Sequence, residues 1–535
     1  MPDFVIVGAG SAGCVLANRL SADGANEVVL LEAGGRDSSP FIHMPAGYLR
    51  LMETGQVDWG YNTVPQKHCY DRTFYWPRGK VLGGSSSVNG MVYVRGHASD
   101  FDHWAQLGNR GWSYADVLPY FKRAEHWDDG EDGFHGGSGP LRTAGIKSYH
   151  PLSRAWLEAG KQAGYPQTAD INGLNQEGFG SIQNTIGDGR RASTAVCYLR
   201  PALKRRNLKV ITRALAKRII VENGRAVGVE YMRNGHVETI RADREVILSG
   251  GAINSPQLLQ LSGIGDGTHL RSLGIKTVHE LKGVGQNLSD HLAVSMRQLL
   301  TQPISLLNDL RPLAVAKSLA QWTLFRSGPV AHPGIQVVAF IKTRPEVVAP
   351  DLQYHFIMIL YGDHGRDIYK QHGFQPLINI QRPQSLGSVK IQSADPTIAP
   401  AIDPNYLAVP EDLRILRDGI KIGRDIIAQK AFDPYRGAEL DPGPKAKTDA
   451  EIDEYIRRTC HTQYHPVGTC KMGQDPMAVV DSQLKVHGLD GLRVIDASIM
   501  PVMVSANTNA ATIMIAEKAS DMVLGQGRGI RAEAA

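Results

Sequence analysis

Phe4-Val5-Ile6-Val7 is an apolar strand pattern that runs into a glycine turn, Gly8-Ala9-Gly10-Ser11-Ala12-Gly13. Leu16 and Leu20 then carry helical spacing, and a second apolar run, Val28–Leu31, stops on Glu32. This order reads as one βαβ unit of a parallel sheet. Gly8 allows the tight turn, Gly10 lets the backbone approach a pyrophosphate, and Gly13 lets the helix pack on the strand. The free amides at the helix start, on Ser11 and Ala12, carry partial positive charge and suit a diphosphate. Glu32 stands 19 residues past Gly13, where a carboxylate accepts both hydroxyls of an adenosine ribose and repels a 2′-phosphate. The unit therefore predicts FAD or NAD rather than NADP, and leaves the choice between those two open.

Two further apolar runs end the same way. Val246-Ile247-Leu248 leads into Ser249-Gly250-Gly251, and Leu492-Arg493-Val494-Ile495 stops on Asp496. Strands that stop at small or acidic residues fit the ligand edge of a parallel sheet. From about residue 295 to 400 the texture changes: Val337–Ile341, Gln353–Leu360, Leu377–Gln381 and Ser388–Gln392 are strand-like and separated by Pro, Gly and Asp turns. They predict a mostly antiparallel sheet with one face toward a ligand and one toward helices. The expected fold is α/β, a Rossmann-like FAD-binding domain formed by 1–155, 190–295 and 455–525. Into it is inserted an α+β substrate domain formed by 156–189 and 296–454, and 526–535 is expected to be a disordered tail.

At 42% hydrophobic and 21% charged over 535 residues, the chain has the make-up of a globular protein, which excludes disorder for most of it. The net charge of +5 is small for this length, and the most basic stretches, Arg190-Arg191 and Lys204-Arg205-Arg206, are short. They read as solvated surface, and nucleic acid is not an expected partner. Cys14, Cys69, Cys197, Cys460 and Cys470 form no CxxC pair and are odd in number. Neither a disulfide framework nor a metal site is expected from them, and isolated thiols suit the cytoplasm. Met1 leads almost directly into the first strand without a leader pattern, so export by the usual route is not expected. Leu310–Ser327 is broken by Arg311, Pro312, Lys317 and Arg326 and allows a surface or interface helix, not a span. The expected location is cytoplasmic, with peripheral contact to the inner membrane through that segment.

Arg78-Gly79-Lys80-Val81-Leu82-Gly83-Gly84-Ser85-Ser86-Ser87-Val88-Asn89-Gly90-Met91 and Gly251–Gly265 are small-residue loops that let backbone approach a planar or phosphorylated ligand. Both resemble the two signatures of the glucose–methanol–choline (GMC) family of FAD-dependent oxidoreductases. The resemblance runs from about residue 3 to 524 and includes Gly283-Val284-Gly285-Gln286-Asn287-Leu288-Ser289-Asp290-His291. It implies FAD as the cofactor, held noncovalently, because Val88 stands where some members carry a covalently attached histidine. The implied cofactor contacts, beside the first motif with Glu32 and Ala33, are Gly83, Asn89, Gly90, Met91, Val92, Ala216, Tyr464, Asp496, Ala497, Thr508 and Asn509. In the run Tyr464-His465-Pro466, His465 occupies the position of the family's active-site histidine, and a neutral imidazole suits proton transfer near pH 7. Asn507 falls at the second catalytic position, which holds His or Asn, and an amide there orients a substrate oxygen without competing for its proton. Asn509 is its near rival and reads as a helix cap or a ring contact.

The resemblance further implies oxidation of a primary alcohol to an aldehyde by hydride transfer to flavin N5. Choline-specific members carry a glutamate where this chain has Gln336, so a neutral alcohol (aliphatic, polyethylene glycol-like or polyol) is expected, with choline as the alternative. In some oxidases an apolar residue two before the catalytic histidine admits oxygen. Here Gln463 is polar, so the expectation is a dehydrogenase passing electrons to a quinone or cytochrome, with an oxygen-using alcohol oxidase as the alternative. Gln336, Tyr361 and Met503, with His332 and His364, are expected in the pocket wall. A homo-oligomer is expected too; a non-catalytic flavin-binding protein is the remote reading.

Overall fold

The computed structural model describes residues 1–525, so the tail expected at 526–535 lies outside the described residues. Five parallel strands form the first sheet, in the order Leu208–Thr212, Val28–Glu32, Phe4–Val7, Glu245–Leu248 and Leu492–Val494. All residues of Phe4–Val7 and Val28–Glu32 are buried, as continuous apolar strands covered on both faces should be. The helix Ser11–Leu20 lies so close to its strand that a Cβ on Gly13 would stand 1.9 Å from the Gly8 carbonyl oxygen. At Gly8, where φ is +101°, a Cβ would stand 2.5 Å from the carbonyl oxygen of Ser249. Backbone proximity requires both glycines, and at Gly8 the positive φ requires one as well.

The second sheet has eight strands. Its path runs Arg436–Asp441, Arg297–Leu300, Gly373–Ile380, Leu352–Ile357, Ile335–Ile341, Gly178–Ser181, with Leu292–Ser295 pairing Gly373–Ile380 and His461–Thr462. Neighbouring strands are antiparallel throughout. Side chains alternate between its faces. Leu352, Tyr354 and Phe356 join a core with Trp156 of the helix Pro151–Gln162, whose ring stacks on Phe356 at 4.9 Å, while His355 and Ile357 turn to the cavity described below. Ser388–Lys390 departs from the expectation: it leaves this sheet and pairs with Ala401–Asp403. Leu292–Ser295 and His461–Thr462 belong to the second sheet although they fall within the stretches expected for the first domain. The segment 310–327 contains the helix Pro312–Phe325, with Leu313, Leu324 and Phe325 exposed. Among the described residues no helix is long and apolar enough to cross a membrane.

The C-terminal helix Thr508–Leu524 closes the first domain by packing on Ser11–Leu20 and on Tyr114–Ala124. Its Glu517, fully buried, accepts hydrogen bonds from Arg19 Nε and Nη2 (2.9 and 2.7 Å), Arg123 Nε (2.8 Å) and the Tyr198 hydroxyl (2.8 Å). One carboxylate thus ties two helices and the Ala195–Leu199 turn to a third. Glu517→Ala takes the carboxylate from Arg19 and from Arg123, which keeps Asp521 at 2.9 Å; with the two guanidinium side chains 28% and 26% exposed, the cost falls below the about 3–5 kcal/mol of breaking a fully buried pair. The variant should show a clearly lowered thermal midpoint, whereas Glu517→Gln, which keeps the shape and part of the bonding, should fall between it and the parent.

Candidate active site

One continuous cavity runs along the carboxyl ends of the parallel strands and ends under the second sheet. At its far end stand Glu32, Ala33, Leu215 and Ala216. The Glu32 carboxylate accepts from the Ala9 and Gly34 amides (2.9 and 2.8 Å), and burial pushes its pKa up to about 7 against the pull of those amides. Next come Gly8, Gly10, Ser11 and Ala12 against Gly84 and Ser85. A Cβ on Gly84 would stand 2.7 Å from Gly10 Cα, so the two glycine loops meet backbone to backbone. Gly10 caps its helix without a side chain, which leaves the first amides of that helix open to the cavity. Asn89, Gly90, Met91, Val92, Asp496, Ala497, Thr508 and Asn509 line the next stretch. Asp496 is held by Gly251 N (2.8 Å), Ser255 Oγ (2.5 Å) and Ser498 N (2.8 Å), and burial raises its pKa.

These residues fit FAD. The Ser249 hydroxyl in the cavity wall is buried without any partner in the protein, the amides after Gly10 are uncapped, and Asn89 Nδ2 donates to no protein group among the described residues. An elongated dinucleotide with a central diphosphate satisfies such a row of open donors. Val88 stands in the same wall with no group that could bond the cofactor covalently.

At the inner end, the strand His461–Thr462 delivers Gln463, Tyr464 and His465 into the cavity. Asp290 holds the turn: its carboxylate accepts from His465 N (2.7 Å), Thr462 Oγ1 (2.6 Å) and the Tyr406 hydroxyl, and burial raises its pKa to about 6. Arg78 donates to the Tyr464 carbonyl (2.6 Å) and also lines the cavity. The two imidazoles His291 and His465 meet through their Nδ1 atoms at 2.9 Å. His291 Nε2 lies 3.1 Å from the Gln381 carbonyl, which can only accept, so that nitrogen carries the proton and His291 Nδ1 is bare. His465 Nδ1 must then donate to it, leaving His465 Nε2 unprotonated, with a lone pair that accepts from Asn507 Nδ2 at 3.1 Å. Burial above all, then the neighbouring His291, His355 and Arg78, holds the pKa of His465 well below the ordinary value. Its neutral form therefore prevails at pH 7.

The structure brings together His465, Asn507, Tyr464, Tyr361 and His364 in this wall. Asn507 sits at the cap position of the C-terminal helix without making a side-chain cap bond, so its amide is free for His465, while Gln353 Nε2 reaches its Oδ1 at 3.4 Å. Asn509 Oδ1 instead accepts from the Ser11 hydroxyl at 2.7 Å. Five expected residues are placed elsewhere. Gln336 points to the helix face of its strand, where Oε1 accepts from His150 N (2.8 Å) and Ser153 Oγ (2.9 Å), and its neighbour Ile335 faces the cavity. Met503 is buried beside Ser289 in the wall of a separate small recess, and His332 is not in the cavity wall. Gly13 and Gly83 support the turn without lining the cavity; Gly83 N donates to the Ala9 carbonyl at 2.7 Å. Sequence reading gave no role to Asp290 and His291, although both stand in a quoted motif, nor to His355, whose Nε2 is buried without a partner.

Family models described as GMC oxidoreductase match residues 2–293 and 383–516. The chain is 49% identical over 526 residues to an oxygen-dependent choline dehydrogenase of Sinorhizobium fredii, covering 98% of this chain and 96% of that protein. Among solved structures it is similar to pyridoxine 4-oxidase from Mesorbium loti (TM-score 0.89, 32% identity, 97% and 98% of the two chains). It is similar also to formate oxidase of Aspergillus oryzae (TM-score 0.92, 28% identity, 98% of each chain).

Glu32→Ala removes the acceptor of the Ala9 and Gly34 amides and the acceptor expected for the adenosine ribose. Losing a charged hydrogen bond costs about 1.5–3 kcal/mol, so FAD should bind roughly 10- to 100-fold more weakly, read as a lowered flavin-to-protein ratio and by titration of the apoprotein.

Proposed function

For a chain that belongs to the GMC oxidoreductase family, binds FAD and acts on an alcohol-type donor, we propose oxidation of a small primary alcohol to its aldehyde, with choline as the substrate. The observation that carries the chemistry is the bare His465 Nε2 facing Asn507 Nδ2 at 3.1 Å in the cavity wall. A bound alcohol that displaces this hydrogen bond donates its hydroxyl proton to Nε2 and accepts from the amide, which orients the oxygen. His291 takes the hydrogen bond of Nδ1 and keeps the imidazole in the tautomer this requires. When bound, FAD supplies the acceptor for the hydride leaving the carbinol carbon. Second-sheet residues Ile335, Ile357 and Leu377 exclude water from the reacting end.

Choline is favoured by the choline dehydrogenases that are 49% identical to this chain and by the tyrosines Tyr48, Tyr361 and Tyr464 in the cavity wall, whose rings suit a quaternary ammonium. The expectation of a neutral alcohol rested on Gln336, whose side chain faces away from the cavity. A neutral alcohol of similar size keeps one specific support: the carboxylates of the cavity wall are Glu32 and Asp496, both at the cofactor end. Oxygen as acceptor is supported by the names of the relatives, and another carrier by the polar Gln463 in the wall.

His465→Ala should lower turnover by about 10²–10⁴-fold, the usual worth of a positioned base, with FAD still bound; near-normal turnover would overturn the assignment. Anaerobic bleaching of the flavin band by choline should be faster than by its uncharged isostere, in which a tert-butyl group replaces trimethylammonium, because a cation over aromatic rings gains about 0.5–2 kcal/mol. The reverse preference replaces choline with the neutral alcohol. Readmission of air then separates the acceptors: rapid recovery of the band means oxygen, slow recovery another carrier.

A further inference from the structure

Arg191, expected on the surface as half of a short basic stretch, is 1% exposed, whereas Arg190 beside it is exposed. Its Nε donates to the Ile42 carbonyl (2.7 Å), and Nη1 to the Asn89 carbonyl (2.6 Å), Asn89 Oδ1 (2.8 Å) and the Ser86 carbonyl (3.3 Å). Nη2 is buried with no partner at all. Among the described residues no carboxylate pairs with this guanidinium. Burial pulls its pKa down to about 9, still above neutral, so the charge persists at pH 7. An uncompensated buried charge is among the most unfavourable features a fold can keep, and it calls for a balancing anion nearby.

The contact with Asn89 shows where. Asn89 Oδ1 is occupied twice, by Arg191 Nη1 and by Met91 N (3.1 Å), which fixes the orientation of the amide. Its Nδ2 donors are left without a protein partner on a residue that lines the cavity. Arg191 therefore does two things through one side chain: it locks an amide with its N–H groups on the cavity side, and it places a full positive charge directly behind that amide.

We propose that Arg191 is a positioning residue for the flavin, holding Asn89 as a donor to it and supplying the buried charge that favours its anionic reduced form. The inference rests on FAD occupying this cavity. In the reductive half-reaction the alcohol loses a proton to His465 and a hydride to flavin N5, and the electron pair gained leaves a negative charge on the flavin N1–C2=O locus. A cation in a water-poor wall stabilises that charge and does little for the neutral oxidised ring.

The test uses the FAD-loaded protein and two readouts other than turnover. One is the two-electron reduction potential. The other is the affinity for sulfite, which adds through its sulfur lone pair to N5 and leaves the same negative charge on the ring. Arg191→Met should weaken sulfite binding by about tenfold or more, and an equal effect on reduction lowers the potential by about 30 mV. Arg191→Lys, which keeps the charge but not the reach, should stay closer to the parent in potential. Asn89→Asp gives Arg191 an ion partner at nearly constant shape: the thermal midpoint should hold or rise while sulfite binding weakens, a combination that a merely structural role does not produce. Should Arg191→Met emerge without FAD, the Lys and Asp variants carry the comparison. Unchanged potential and sulfite affinity in FAD-loaded variants overturn the proposal, as does an equal loss in the Lys and Met variants. A parent protein that binds FAD and sulfite but is bleached by no primary alcohol would instead contradict the proposed activity and leave this comparison intact.

Discussion

The hydrogen bond from His291 Nε2 to the Gln381 carbonyl (3.1 Å) sets the protonation of two imidazoles in series. A carbonyl cannot donate, so His291 presents a bare Nδ1, His465 must protonate its own Nδ1, and the lone pair of His465 is left at Nε2, toward Asn507 and the cavity. Everything that holds the site serves this chain. The second sheet contributes Leu292–Ser295, directly after His291, and Gly373–Ile380, which ends one residue before Gln381. The first domain contributes Asn507 at the start of its last helix, anchored by Glu517 to two neighbouring helices. The base is thus defined where the two sheets meet, and neither could define it alone.

The electrostatics of the cavity follow the same division. Carboxylates in the wall stand at the cofactor end, each occupied by backbone amides or hydroxyls, while the reacting end holds neutral imidazoles with the guanidinium of Arg78 beside them. Burial pushes the pKa values of His291 and His355 down to about 4, which keeps both rings neutral through the physiological range. A site built this way accepts a proton at one atom, and its nearest carboxylate, Asp290, is engaged by the His465 amide, Thr462 and Tyr406 rather than lining the cavity.

The parts of this arrangement legible in the sequence were those set by local spacing. Gly8, Gly10 and Gly13 need only a strand before them and a helix after them, and Glu32 only the length of one crossover. His465 and Asn507 came from a family resemblance, since spacing alone gives no reason for residues 42 apart to meet. What sequence could not supply was direction. Gln336 and Ile335 are neighbours on one strand, and which of them faces the cavity depends on the pleat and on an irregularity in the pairing with Leu352–Ile357. Arg190 and Arg191 look alike as a basic pair, yet one is exposed and the other is buried behind Asn89. His291 and His355 depend on contacts across sheets, for which no local pattern exists.

The most direct test of this account is the protonation of His465 itself. In the FAD-loaded protein labelled with nitrogen-15 histidine, the ring resonances of His465, identified by their loss in His465→Ala, should report a protonated Nδ1 and an unprotonated Nε2 at pH 7. A ring protonated at Nε2 with a bare Nδ1, or an imidazolium, would contradict the assignment of the base and the chain of hydrogen bonds on which it rests.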